Sequence, residues 1–177
     1  MIFRFPLLLL FASLLATSCK SIHTIDGEYR FSDGYGLVAI STRIDNRCAM
    51  TLFSSGAINF YALNGNRTSG LFLLDNSLVQ RDFENPPGYF FVRSLPEGDY
   101  RLSNISFHGY ISRKPLDIPF SVTAGKTKYL GEFSVDVPNC NGFNYRVTDQ
   151  WERDQNIFRT RVTNLPPASV EKQILPQ

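Results

Sequence analysis

The chain has 177 residues, with 18 basic against 16 acidic side chains, 43% hydrophobic residues and 14% aromatic ones. So even a balance removes the electrostatic basis for binding nucleic acid or anionic lipid headgroups. The length suits one ordinary domain, able to fold without a metal or a dense disulfide framework.

The amino terminus reads as a secretory signal. Arg4 is the only charge before Lys20, and Phe5 to Ala16 is almost wholly apolar. A positive start, a short apolar run and small residues before a cleavage point mark a removed signal peptide. The run is too short for a comfortable transmembrane helix, which needs about 20 residues. Leu15-Ala16-Thr17-Ser18-Cys19 resembles the lipobox of bacterial lipoproteins, with Ala16 and Ser18 as departures from its commonest residues. The resemblance implies cleavage after residue 18 and a diacylglycerol on the Cys19 thiol, with three acyl chains once processing is complete. Multiple chains anchor stably where one does not. Lys20, in place of the Asp that favours inner-membrane retention, points to the outer membrane, facing the periplasm. An ordinary secreted protein with a cysteine near its cleavage site is the alternative.

Removing 18 of 177 residues leaves 159, with 17 basic and 16 acidic side chains and two further cysteines, Cys48 and Cys140. An even pair in an oxidising compartment reads as one disulfide. It would close a loop of about 90 residues, for which the chain-entropy model gives on the order of 4–5 kcal/mol. Two free thiols or an intermolecular bridge remain open.

Residues 19–34 read as the lipidated end and a polar tether, with a first short strand at Glu28–Ser32. The 15 Phe and 8 Tyr favour strands in the rest of the chain. Val38, Ile40, Thr42 and Ile44 alternate, as do Ile58, Phe60 and Ala62, before the Asn64-Gly65-Asn66 turn. Gly70 to Asp75 is a short apolar strand, and Asn85-Pro86-Pro87-Gly88 is a turn. Gly88 to Leu95 and Asp99 to Phe107 flank Pro96-Glu97-Gly98 as a hairpin. The phase change from Tyr100 and Leu102 to Ile105 and Phe107 calls for a bulge near Ser103-Asn104. Pro119 makes the Ile118–Val122 strand an edge, and Ala124-Gly125-Lys126 is a turn. Tyr129, Gly131, Phe133, Val135 and Val137 then form one core face, with Lys128 and Glu132 toward water or a polar rim. Phe143–Asp149 is one more strand. Thr148 or Asp149 caps a helix over Trp151–Phe158, and Ala168–Leu175 forms a last helical turn or two. The predicted fold is all-β: an antiparallel β-sandwich over residues 35–149 with a short C-terminal helical segment in the tail, 150–177.

Leu95-Pro96-Glu97-Gly98-Asp99-Tyr100-Arg101-Leu102, then Phe120-Ser121-Val122-Thr123-Ala124-Gly125-Lys126 and Tyr129-Leu130-Gly131, resemble the DUF2846 family of small bacterial lipoprotein domains. More distantly they resemble transthyretin-like and carboxypeptidase-regulatory-like sandwiches. The resemblance covers about residues 35–137 and implies an envelope-anchored sandwich. It supplies no catalytic residues.

Chemistry-bearing motifs are sparse. His23 and His108 have no partner at metal-ligand spacing, and no nucleophile elbow, zinc-protease or phosphate-loop motif is present. No catalytic residue, metal or cofactor is expected. Trp151-Glu152-Arg153-Asp154 has two readings. Either Trp151 and Phe158 pack on the sandwich while Arg153 and Asp154 face water, or Trp151, Arg153 and Asp154 form a partner-binding patch. The expected function is a non-enzymatic envelope lipoprotein, a binding or structural accessory module. Its partners are the membrane, through the anchor, and another envelope protein or a cell-wall component. The rival is an envelope hydrolase acting on glycan or peptide through a carboxylate pair.

Overall fold

The computed structural model describes residues 24–46, 55–63, 68–85, 87–107, 110–112, 114–139 and 142–177. The predicted signal peptide, Cys19, the Cys48–Cys140 pair, both histidines and the Asn64-Gly65-Asn66 turn lie outside them. The described residues form two sheets and one helix. The larger sheet runs β4 (Phe83–Glu84), β5 (Pro87–Pro96), β1 (Tyr35–Asn46), β9 (Thr127–Asn139) and β10 (Gly142–Thr148). The smaller runs β3 (Ser69–Asn76), β2 (Ser55–Ala62) and β6 (Gly98–Phe107), with β7 (Tyr110–Ile111) and β8 (Ile118–Val122) both on the far flank of β6. Between the sheets lie Val38, Ile40, Phe60, Phe72, Phe91, Tyr100, Phe120 and Phe133. The all-β sandwich is therefore the observed fold. Its pairing is antiparallel except where β9 runs parallel to β1 and to β11 (Val170–Lys172).

The centre of the larger sheet is buried on both faces. Leu37 to Thr42 are all buried, as are Gly88 to Arg93. Strands that read as continuous apolar runs have two covered faces. The outer cover is α1 (Trp151–Arg161) together with residues 24–31. Leu37, Ala39, Phe90, Val92 and Tyr129 meet Phe158 and Val162 there, with Ile25, Tyr29 and Phe31 packed alongside. The Ile25 N–H donates to the Val92 carbonyl at 2.8 Å, Gly27 bridges to Val162, and the Tyr29 hydroxyl lies 2.7 Å from Ser94 Oγ. Residues 24–34 are thus not a tether, and no strand spans Glu28–Ser32. They lie on the sheet because three apolar side chains at 25, 29 and 31 have a face to cover.

Three further expectations change. Strands β5 and β6 are not a hairpin: β5 pairs with β1 and β4, and β6 with β2, β7 and β8. Pro96-Glu97-Gly98 instead carries the chain from one sheet to the other. The Tyr100 hydroxyl fixes that corner by donating to the Pro96 carbonyl at 2.8 Å, with its ring stacked on Phe120 at 5.2 Å. In β9 the Gly131 backbone takes φ 94°, and two residues oppose one on β1 between Ala39 and Ser41. This bulge reverses the phase. Tyr129 faces the helix, whereas Leu130, Phe133 and Val135 face the sandwich. Glu132, expected at a polar rim, is 3% exposed beneath the helix side of the sheet. Finally, the tail after Pro166 makes only a 3₁₀ turn at Pro167–Ser169 before β11. Strand β10 reaches only Glu132 on β9, so β11 occupies the flank it leaves open; Leu175 N–H then donates to the Leu130 carbonyl at 3.0 Å. The bulge expected near Ser103-Asn104 is present: Ser103 is the extra residue where β2 shifts register between Asn59 and Phe60.

Candidate functional site

The outer face of the larger sheet divides into a roofed half and an open half. The roof is α1. The N-cap is Gln150, which makes no side-chain capping bond; the expected Asp149, one residue earlier, accepts from the Trp151 N–H at 3.0 Å through Oδ1. Positions 151, 154 and 158 recur at i, i+3 and i+7 and form one stripe facing the sheet. Trp151 lies 4.9 Å from the Tyr129 ring and 5.9 Å from Phe158. Between them, Asp154 is 0% exposed.

A carboxylate at such a position is tolerated only when hydrogen-bonded and paired. Asp154 Oδ2 accepts from Ser41 Oγ and from the Tyr129 hydroxyl, both at 2.6 Å, and Oδ1 accepts from Arg153 Nε at 2.7 Å. Arg153 turns back over the sheet, donates to Glu132 Oε2 at 2.7 Å and to Ser41 Oγ at 3.2 Å, and covers the Phe83 ring at 4.0 Å. Burial, and then the adjacent Asp154 carboxylate, push the Tyr129 phenol far above its ordinary range. Burial alone would lower the Arg153 guanidinium, but Glu132 and Asp154 outweigh it and hold it above its usual value. Asp154 therefore does not face water and offers no surface to a partner, while Arg153, 30% exposed, is folded back over the sheet. Their chemistry is that of a buried latch between helix and sheet.

Beyond the helix the same face is open. Register sets its side chains in rows across β1, β9 and β10. Ser41, Glu132 and Thr148 form the row under the helix; Arg43, Ser134 and Arg146 form the next; Asp45, Asp136 and Asn144 form the last. A row holding two guanidinium groups thus lies beside one holding two carboxylates. Rows on one face are two residues apart along the strand, about 6.7 Å. Arg43, Asp45, Ser134, Asp136, Asn144 and Arg146 line a cleft of about 320 Å³. Arg146 Nε donates to Ser134 Oγ at 3.3 Å. Arg43 Nε stands 3.8 Å from Glu132 Oε1, an ion pair too long to be a hydrogen bond. Two residues that line this cleft each hold a solvent-inaccessible polar atom with no hydrogen-bond partner among the described residues: the donor Arg43 Nε and the acceptor Asp136 Oδ1.

Of the residues predicted for a partner-binding patch, the structure brings Trp151, Arg153 and Asp154 together, but under the helix. Cys19, Cys48 and Cys140 lie outside the described residues. Sequence reasoning missed Ser41, Arg43, Glu132, Ser134, Asp136 and Arg146. A helical stripe through Trp151 and Phe158 would have pointed to Asp154, whereas the rows depend on the parallel pairing of β1 with β9, which no local pattern announces. Among the described residues no group of three His, Cys, Asp or Glu side chains is gathered to hold a metal. No family model, curated protein or solved structure matches the chain.

Proposed function

We propose that this protein is a non-enzymatic lipoprotein of the bacterial cell envelope, anchored through Cys19 at the outer membrane. The sandwich is held there as a binding or structural accessory module for another envelope protein or a cell-wall component. One observation supports a binding role over hydrolysis. The three buried acidic residues are already engaged by arginines, Asp154 and Glu132 by Arg153 and Asp75 by Arg81 at 3.4 Å, which leaves Asp136 in the cleft as the acid with an unpartnered buried oxygen among the described residues. A hydrolytic acid or base needs an oxygen facing the substrate. The Ser41 hydroxyl, also buried, donates directly to Asp154.

Two measurements test the reading. Cells fed an alkyne analogue of palmitate should label the wild type in the membrane fraction, and Cys19→Ala should abolish the label and release the protein or leave its precursor. Unchanged labelling and partitioning would remove the anchor. Purified protein incubated with cell-wall glycan and peptide should release neither reducing ends nor amines. Release that disappears in Asp136→Asn would establish the hydrolase instead. The Cys48–Cys140 bridge belongs to the same proposal: unfolded, non-reduced protein should show no free thiol at either position, and two labelled thiols would exclude the bridge.

A further inference from the structure

The open half of the larger sheet carries a more specific reading, which rests on the protein being a binding module. Two residues lining one cleft that each hold a buried polar atom without a partner are unusual, because such groups are normally satisfied. Here the donor, Arg43 Nε, belongs to the arginine row, and the acceptor, Asp136 Oδ1, to the acid row. A ligand that fits both rows must present an acceptor to the first and a donor to the second. The charges specify those groups further. Arg43 and Arg146 flank Ser134, a setting for a carboxylate, and Asp136 with the Asn144 amide suits an ammonium. The rows are about 6.7 Å apart, which matches the span of an extended lysine between its α-carboxylate and its ε-ammonium. A cleft of about 320 Å³ takes one such residue and little more.

We propose that this cleft binds a zwitterionic diamino-acid unit of a peptide, with its carboxylate on Arg43, Ser134 and Arg146 and its side-chain ammonium on Asp136 and Asn144. Both charges are required, because a charged row left unmet when the cleft is desolvated opposes binding. Neighbouring rows of opposite charge also select against simple ions. A lone anion placed on Arg43 and Arg146 would be repelled by the acid row, and a lone cation at Asp136 by the arginines.

Titration calorimetry of the full-length protein in detergent micelles tests this with three probes. Nα-acetyl-lysine carries both charges, Nα-acetyl-lysine amide lacks the carboxylate, and Nα,Nε-diacetyl-lysine lacks the ammonium. The first should bind, and each of the others should bind about tenfold or more weakly, the ratio expected for losing one charged hydrogen-bonding partner. Asp136→Asn keeps the shape of the site and should remove the preference for the free ammonium. Arg146→Gln, at an exposed position, should remove the preference for the carboxylate and serves if Asp136→Asn fails to fold. Equal binding of all three probes, or binding of none, would overturn the assignment and leave the two charged rows balancing each other. Failure here is distinguishable from failure of the module reading, which Cys19 acylation and the hydrolysis assay decide.

Discussion

Removing the Asp154 carboxylate should undock the helix. In wild type it receives three short contacts, from Ser41 Oγ and the Tyr129 hydroxyl at 2.6 Å and from Arg153 Nε at 2.7 Å. Ser41 and Tyr129 are both fully buried, so after Asp154→Ala neither hydroxyl proton can turn to water, and an unmet buried donor costs about 1–3 kcal/mol. The Arg153 side chain is 30% exposed and keeps Glu132, so part of its charge rehydrates and its share falls at the low end. The combined loss is about 3–5 kcal/mol, the range for breaking a buried pair by deleting one partner. Set against a total stability of about 5–15 kcal/mol, that moves a urea midpoint down by roughly 1–3 M. Trp151 is the only tryptophan and its ring centre lies 4.9 Å from that of Tyr129, tilted across it, so its fluorescence reports the helix while far-ultraviolet dichroism reports the sheets. Glu152→Ala, at an exposed position on the same helix, should stay within about 0.5 kcal/mol of wild type. If Asp154→Ala were no more damaging than Glu152→Ala, the latch would not be what holds the helix.

Gly131→Ala should destabilise by about 1–3 kcal/mol, since Gly131 sits at φ 94° and a Cβ there would meet the Thr148 carbonyl oxygen at 2.9 Å; a thermal melt unchanged from wild type would mean that the bulge is unstrained. Arg93 is 7% exposed, with Nε and Nη2 lacking partners among the described residues and its guanidinium 5.1–5.9 Å from the Phe60, Phe72 and Phe91 ring centres, and burial lowers it to about 10. Arg93→Met should therefore leave stability within about 1 kcal/mol of wild type or raise it, and a loss above about 3 kcal/mol in denaturant melts would reveal an essential pairing. Tyr129→Phe should cost about 1.5–3 kcal/mol at neutral pH through the lost bond to a carboxylate. Because the folded phenol titrates above its unfolded value of 10.0, the wild-type advantage is complete below pH 10. It shrinks by up to about 1.4 kcal/mol per pH unit above it; an advantage that grew with alkalinity in melts across that window would contradict the burial of Tyr129.

What was legible in the sequence was whatever depends on nearest neighbours along the chain. Period-two alternation marks β2 and β8, Pro119 marks an edge, and the phase change after Leu102 marks the bulge at Ser103. Two local patterns misled for physical reasons. In β9 the series Tyr129, Gly131, Phe133 looks like one face, yet a glycine is the residue at which a strand can take positive φ and change face. That single step places Tyr129 and Glu132 under the helix and makes Glu132 a partner of Arg153. At Pro96-Glu97-Gly98 the turn residues fit a hairpin and a corner between sheets equally well. Continuous burial on both faces of β5, with partners on both of its flanks, excludes the hairpin. Runs such as Leu37-Val38-Ala39-Ile40 and Tyr89-Phe90-Phe91-Val92 carry that information as an absence of alternation, the mark of a strand covered on both sides. The site itself lies at the far end of this scale. Ser41 and Asp154 meet across 113 residues. Arg43, Ser134 and Arg146 become neighbours only through one parallel and one antiparallel pairing. A charge pattern written across three strands has no period along any one of them, so the cleft exists only once the sheet has assembled.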